Sequence, residues 1–107
     1  MKKVTQKQAA INRELTKVYR EIDENRDRMC AGCLRWDKAL DHSHRISRAR
    51  RKDLTCDPEN IDLMCRDCHH KVEAYDLGNL ANGDEIREYI EKNEPQLLIL
   101  HALRKGA

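Results

Sequence analysis

Two C-x-x-C pairs, Cys30-Ala-Gly-Cys33 and Cys65-Arg-Asp-Cys68, constrain this chain more than any other feature. A short turn presents two sulfurs in one direction, and two such turns separated by a loop of this length can complete the tetrahedral shell of one zinc ion. A four-thiolate shell is closed, so such a metal fixes geometry and leaves no open position for chemistry. Composition explains why a staple is needed. Only 4% of the 107 residues are aromatic and 37% are charged, which leaves the central segment little apolar material for a core. One domain, or a small domain with helical extensions, is expected, with the metal substituting for missing burial.

The fifth cysteine, Cys56, has no spaced partner and is expected to be a free thiol. The polar start, Met1-Lys-Lys-Val-Thr-Gln-Lys-Gln, is unlike a secretory signal, and the longest aliphatic run, Leu97 to Leu100, is too short to span a bilayer. Reduced, metal-bound thiols in a cytoplasmic setting, bacterial or phage-infected, are therefore expected, with no membrane partner.

Ile11, Leu15, Val18, Tyr19 and Ile22 recur at three- and four-residue spacing and predict a helix from Thr5 to about Arg28. Thr5 and Gln8 have the form of a capping box, and Lys7, Arg13, Lys17 and Arg20 fall on the wet face, where they could touch a phosphate backbone, an ordinary packing helix with a solvated outer face being the preferred reading. Ala31 and Gly32 let the first knuckle turn tightly, with Trp36 expected to cover it as core. Leu34 to Ile46 reads as two short strands joined near Asp37-Lys38, and Arg48 to Glu59 as a loop. Asp57-Pro-Glu-Asn60 is turn chemistry, and Ile61 to Met64 leads apolar side chains into the second knuckle. A helix is expected from Asp67 or Cys68 to about Leu77, stopping at Gly78. Asp84 is a good N-cap for Glu85 to Lys92. A last helix, Gln96 to Arg104, is apolar enough to dock on the N-terminal helix, the preferred reading, or on a second subunit. This divides the chain into an N-terminal helical extension (1–28), a central core (29–78) and C-terminal helices (79–107).

The residues between and after the knuckles carry the chemistry. Asp41-His42-Ser43-His44 places two imidazoles on one face of a strand beside a carboxylate. His69 follows the second knuckle, and Glu73 lies four residues on, on the same helical face, as a further ligand or as a partner that orients His69. Hydrolysing a phosphodiester requires an activated water, a base and a cation to neutralise developing charge. His42 or His44 can be the base because imidazole titrates near neutral pH, and Asp41 and His69 offer an oxygen and a nitrogen to a divalent ion. The net charge is only +2, yet Arg45, Arg48, Arg50, Arg51 and Lys52 crowd into eight residues, which suggests a polyanionic partner.

In this order, C-x-x-C, Asp-His-x-His, Asn and C-x-x-C-His resemble the HNH nuclease family, in its zinc-stapled, phage-type branch, over residues 29–73. The resemblance implies an α+β chain with a small ββα-metal (His-Me finger) core, a structural zinc on Cys30, Cys33, Cys65 and Cys68, and flanking N- and C-terminal helices. It implies a catalytic divalent cation (Mg2+, Mn2+, Ni2+ or Zn2+) near Asp41, His69 and Glu73, with Asp41 as ligand and His42 as base. His44, followed four residues later by Arg48, matches the family's pattern in another way and is the alternative base. Asn60 corresponds to the family's central asparagine, which holds the loop so that the base is oriented; read alone, it is a turn residue. Many members have a glycine pair after the basic turn, whereas this chain has Arg50-Arg51-Lys52. The expected function is a metal-dependent DNA endonuclease whose Arg45, Arg48, Arg50, Arg51 and Lys52 bind backbone phosphates, alone, as a homodimer or within a larger phage DNA-processing complex. The rival reading is a noncatalytic zinc-stapled module that binds nucleic acid.

Overall fold

Ile61-Asp-Leu-Met64 has no exposed member, because it forms a strand covered on both faces. The computed structural model describes residues 4–104. Its elements in chain order are helix α1 (Gln6–Asn25), strand β1 (Asp41–His44), strand β2 (Ile61–Met64) and helices α2 (Arg66–Glu73), α3 (Gly83–Asn93) and α4 (Gln96–Arg104). Short 3-10 turns at Lys52–Leu54 and Pro58–Asn60 lie in the connection between the strands. The fold is α+β: four helices around a two-stranded antiparallel sheet, with α2 packed against both strands.

The register pairs Asp41 with Met64, His42 with Leu63, Ser43 with Asp62 and His44 with Ile61. Cross-strand partners point to the same face, so the sheet has two distinct sides. Ile61 and Leu63 join Leu15, Val18 and Ile22 of α1 in one core. Met64 joins Ile46, Val72, Ile86, Ile90 and the knuckle residues Cys30, Cys65 and Cys68 in the other. The apolar stripe expected on α1 is therefore the cover of one sheet face, each buried aliphatic there contributing about 1.5–3 kcal/mol. Thr5 caps α1 by accepting from the Gln8 amide at 3.0 Å, but the Gln8 side chain turns to Asn12, so the box is not reciprocal.

Several local expectations are corrected. There is one strand between residues 34 and 46, not two, and its partner lies beyond the basic loop at 61–64. Leu34 takes a left-handed φ of 63° and donates its amide to the Cys30 carbonyl, which curls residues 30–34 and leaves no extended run there. Trp36 is 64% exposed and does not cover the knuckle. Helix α2 stops at Glu73, four residues before Leu77. Tyr75 adopts φ 56°, and the Asp76 and Tyr75 amides return to the Lys71 and Val72 carbonyls, a left-handed termination built without glycine. Helix α4 packs on α3 through Leu97 rather than on α1, with Ile99 and Leu100 left exposed.

The long β1–β2 connection is pinned from inside. Asn60, fully buried, accepts the Ile46 amide at 2.7 Å and donates to the Ile46 and Leu54 carbonyls at 3.0 and 3.1 Å. Arg45 makes a two-pronged pair with Asp62 (2.9 and 3.0 Å), and Asp57 accepts from the Tyr89 hydroxyl at 2.7 Å, tying the loop to α3. Asn60→Ala would strip three hydrogen bonds and strand a buried amide. We expect a loss of about 3 kcal/mol in chemical denaturation, far above an exposed control such as Asn79→Ala.

Candidate metal and acid–base site

The two knuckles meet where β2 ends and α2 begins. Cys65 is the residue before α2, and Cys68 lies in that helix's first turn. The Ala31 amide donates to the Leu63 carbonyl at 2.8 Å, which anchors the first knuckle on β2. The ligand atoms of Cys30, Cys33, Cys65 and Cys68 all lie within 4.8 Å of one another, and Cys33 Sγ is 3.9 Å from Cys65 Sγ. A tetrahedral zinc with Zn–S bonds of about 2.3 Å needs sulfurs about 3.8 Å apart, so the four thiols fit a structural ion such as zinc.

The electrostatics agree with the geometry. Burial opposes ionisation of Cys30, but backbone amides of Cys33, Cys65 and Gly32 aimed at its sulfur win and draw it down to about 6. Burial and the neighbouring sulfurs push Cys68 well up. The Arg35 amide favours the Cys33 thiolate, but burial and the Cys30 and Cys65 sulfurs outweigh it. One thiolate forms readily, while burial and the neighbouring sulfurs resist ionisation at Cys33 and Cys68, a conflict that a bound cation removes. Gly32 is required by space: a Cβ there would lie 2.9 Å from both Cys68 Cβ and Leu80 Cδ2.

Beside this cluster, β1 and α2 bring Asp41 and His69 together. Asp41 Oδ2 is 3.1 Å from His69 Nδ1, and Glu73 Oε1 is 3.5 Å from the ring's other nitrogen, Nε2. Arg66, one turn ahead of His69, reaches the same Asp41 oxygen at 2.9 Å. The hydrogen bond with His69, then Arg66, holds the Asp41 carboxyl below its usual range. His70 is exposed.

His42 and His44 occupy the other face of β1, as their pairing with Leu63 and Ile61 requires. His42 stacks on Tyr19 of α1, ring centroids 4.0 Å apart and planes 8° from parallel, and its Nε2 is 2.8 Å from Asp23 Oδ1. His44 Nε2 lies 2.9 Å from the Thr55 carbonyl, which requires an N–H at that nitrogen, and burial pushes its pKa down. Asn60 holds the loop that carries Thr55, through the Leu54 and Ile46 backbone.

Asp23 and Arg66 escaped the sequence reading, which marks Tyr19 only as part of the apolar stripe of α1. Tyr19 and Asp23 are four residues apart on a helix distant from His42 in sequence, and only the sheet's two-sided cover links them. Asp23 also binds Arg28 at 3.0 Å, the bland role an exposed helix acid suggests. The basic residues divide. Arg45 is largely buried on Asp62, Arg51 clasps Asp53 and binds the Asn93 carbonyl, and Arg50 lies 3.9 Å from Glu94. Arg48 and Lys52 are exposed. Cys56 is a free thiol whose sulfur lies 3.7 Å from the Ile11 carbonyl. Among the described residues, no helix is long and apolar enough to cross a membrane.

Cys68→Ser should release the metal and collapse the melting transition, read by chelator-reported zinc loss and circular dichroism, since structural zinc is worth about 10 kcal/mol or more to such folds. Gly32→Ala should also weaken zinc retention by forcing the knuckles apart, whereas Gly78→Ala, with open space around it, should not. Comparison of the chain with protein-family models, with curated proteins and with solved structures returns no match.

Proposed function

We propose that this chain is a metal-dependent DNA endonuclease of the HNH kind, hydrolysing phosphodiester bonds with His42 as general base. The observation that carries the reading is the 3.1 Å approach of Asp41 Oδ2 to His69 Nδ1, a hard oxygen and an imidazole nitrogen delivered by two different elements. A bound divalent cation would supply charge neutralisation at the scissile phosphate and the leaving oxygen. Asp41 and His69 are the residues to hold it, the cation replacing the hydrogen bond between them and the ring proton then residing on Nε2 toward Glu73: neighbouring ligands on an octahedral ion with bonds of about 2.1 Å lie about 3 Å apart, the separation found. Glu73 approaches the far nitrogen of His69 and is the residue that orients the ring.

His42 sits next to Asp41 in β1. Its Nε2–H donates to Asp23, which fixes the tautomer and leaves the lone pair on Nδ1 to accept a proton from water. Tyr19 holds the ring plane from the other side. His44, neutral and tied to the Thr55 carbonyl, is a supporting wall in this scheme and the alternative base. Arg66 offers an exposed guanidinium beside Asp41 for a phosphate oxygen.

One observation favours a second reading, a noncatalytic zinc-stapled nucleic-acid-binding module. Among the described residues, only the four cysteines bring three or more ligand atoms within 4.8 Å of one another. Conversion of supercoiled plasmid to nicked circles with added magnesium, manganese or nickel separates the two. His42→Ala should lower nicking about 10²–10⁴-fold without loss of zinc or fold. Asp23→Ala should lower kcat about 10–100-fold with KM unchanged, and Asp23→Asn should recover part of it. Loss on His44→Ala with His42→Ala still active would transfer the base to His44. No nicking by the wild-type chain with any of the metals would favour the binding module.

A further inference from the structure

Folding sorts the cations of the basic loop into two sets. Arg45, Arg50 and Arg51 face Asp62, Glu94 and Asp53, so their charge is largely answered within the chain. Arg48 and Lys52 have no acid partner among the described residues, and neither does Lys7 of α1. These three are brought together by packing. Two adjoining clefts run between the first turns of α1 and the 48–56 loop, sharing Ile11 and Lys52 as walls. Arg48 and Thr55 line the first, and Lys7 and Cys56 the second.

The acids near this groove do not cancel it. Asp53, on the lining, is clasped by Arg51 Nε and a terminal nitrogen at 2.8 and 2.7 Å. Glu14 is an exposed residue of α1 near Cys56. Through Thr55 the groove adjoins His44: Thr55 contributes the carbonyl that holds that ring, and Arg48 lies close enough to Tyr19 and His44 to act on both by its charge.

We propose that the groove between α1 and the 48–56 loop is the track along which a DNA phosphate backbone approaches the histidine face, with Lys7, Arg48 and Lys52 neutralising successive phosphates. The inference rests on the endonuclease reading and assigns α1 a part in binding that its packing face does not reveal. Three cations on flexible side chains along an open groove suit a repeating polyanion, and the contacts are to backbone, so they carry affinity without sequence information.

The test uses the full zinc-loaded chain, a fluorescent DNA duplex without added divalent ion, and binding measured over a range of salt. Lys7→Gln, Arg48→Gln and Lys52→Gln should each flatten the plot of log affinity against log salt by about 1, and the triple variant by about 2–3, with unchanged melting temperature. Arg87→Gln, an exposed cation of α3, should leave the slope alone. An unchanged slope in the triple variant overturns the groove, and if that variant still nicks plasmid the endonuclease reading survives without it. Failure of the wild-type chain to bind duplex at low salt overturns both.

Discussion

Four sulfur atoms determine where everything else lies. Cys30 and Cys33 close a curl ahead of the sheet, and Cys65 and Cys68 sit where β2 gives way to α2. Their convergence fixes the angle between a four-residue strand and an eight-residue helix, elements far too short to hold that angle by their own packing. Asp41, paired to Met64 at the end of that strand, meets His69 of that helix at 3.1 Å. A metal held there would act on the proposed chemistry indirectly, by denying the strand and the helix any other arrangement.

The sheet's two covered faces give the second level of organisation. Alternation along β1 sends Asp41 toward α2 and His42 toward α1, so neighbouring residues in the chain enter different environments. In the proposed scheme the cation-binding pair and the base come from opposite sides of one strand, and a scissile phosphate would lie at the strand edge, within reach of both. Asn60 is the internal brace of this arrangement, since the connection it pins also delivers Thr55 to His44.

Some of this was legible in the residues. The C-x-x-C spacing announced a four-sulfur cluster because metal ligation is set by short-range turn geometry, and the stripe on α1 announced a packed helix because its period is strict. Other features depend on distant partners. Ile61 to Met64 lacks the alternation of a half-buried strand because both of its faces are covered, so its role as the pairing strand was hidden. Leu34 and Tyr75 adopt left-handed backbone without being glycine, which moved one strand and one helix end from where composition put them. The basic run reads as a uniform patch in sequence, yet acids from β2, its own loop and the end of α3 remove three of its members.

The stacking of Tyr19 under His42 has a consequence for how this molecule could be shortened or grafted. A fragment starting at Met29 would retain every sulfur, Asp41 and His69, and would look complete as a motif. It would also expose Ile61 and Leu63 to water and leave the His42 imidazole to rotate without floor or tether. The smallest piece that keeps the metal is therefore smaller than the smallest piece that keeps the imidazole in place, and transplanting the motif into another scaffold means supplying a substitute for the helix as well.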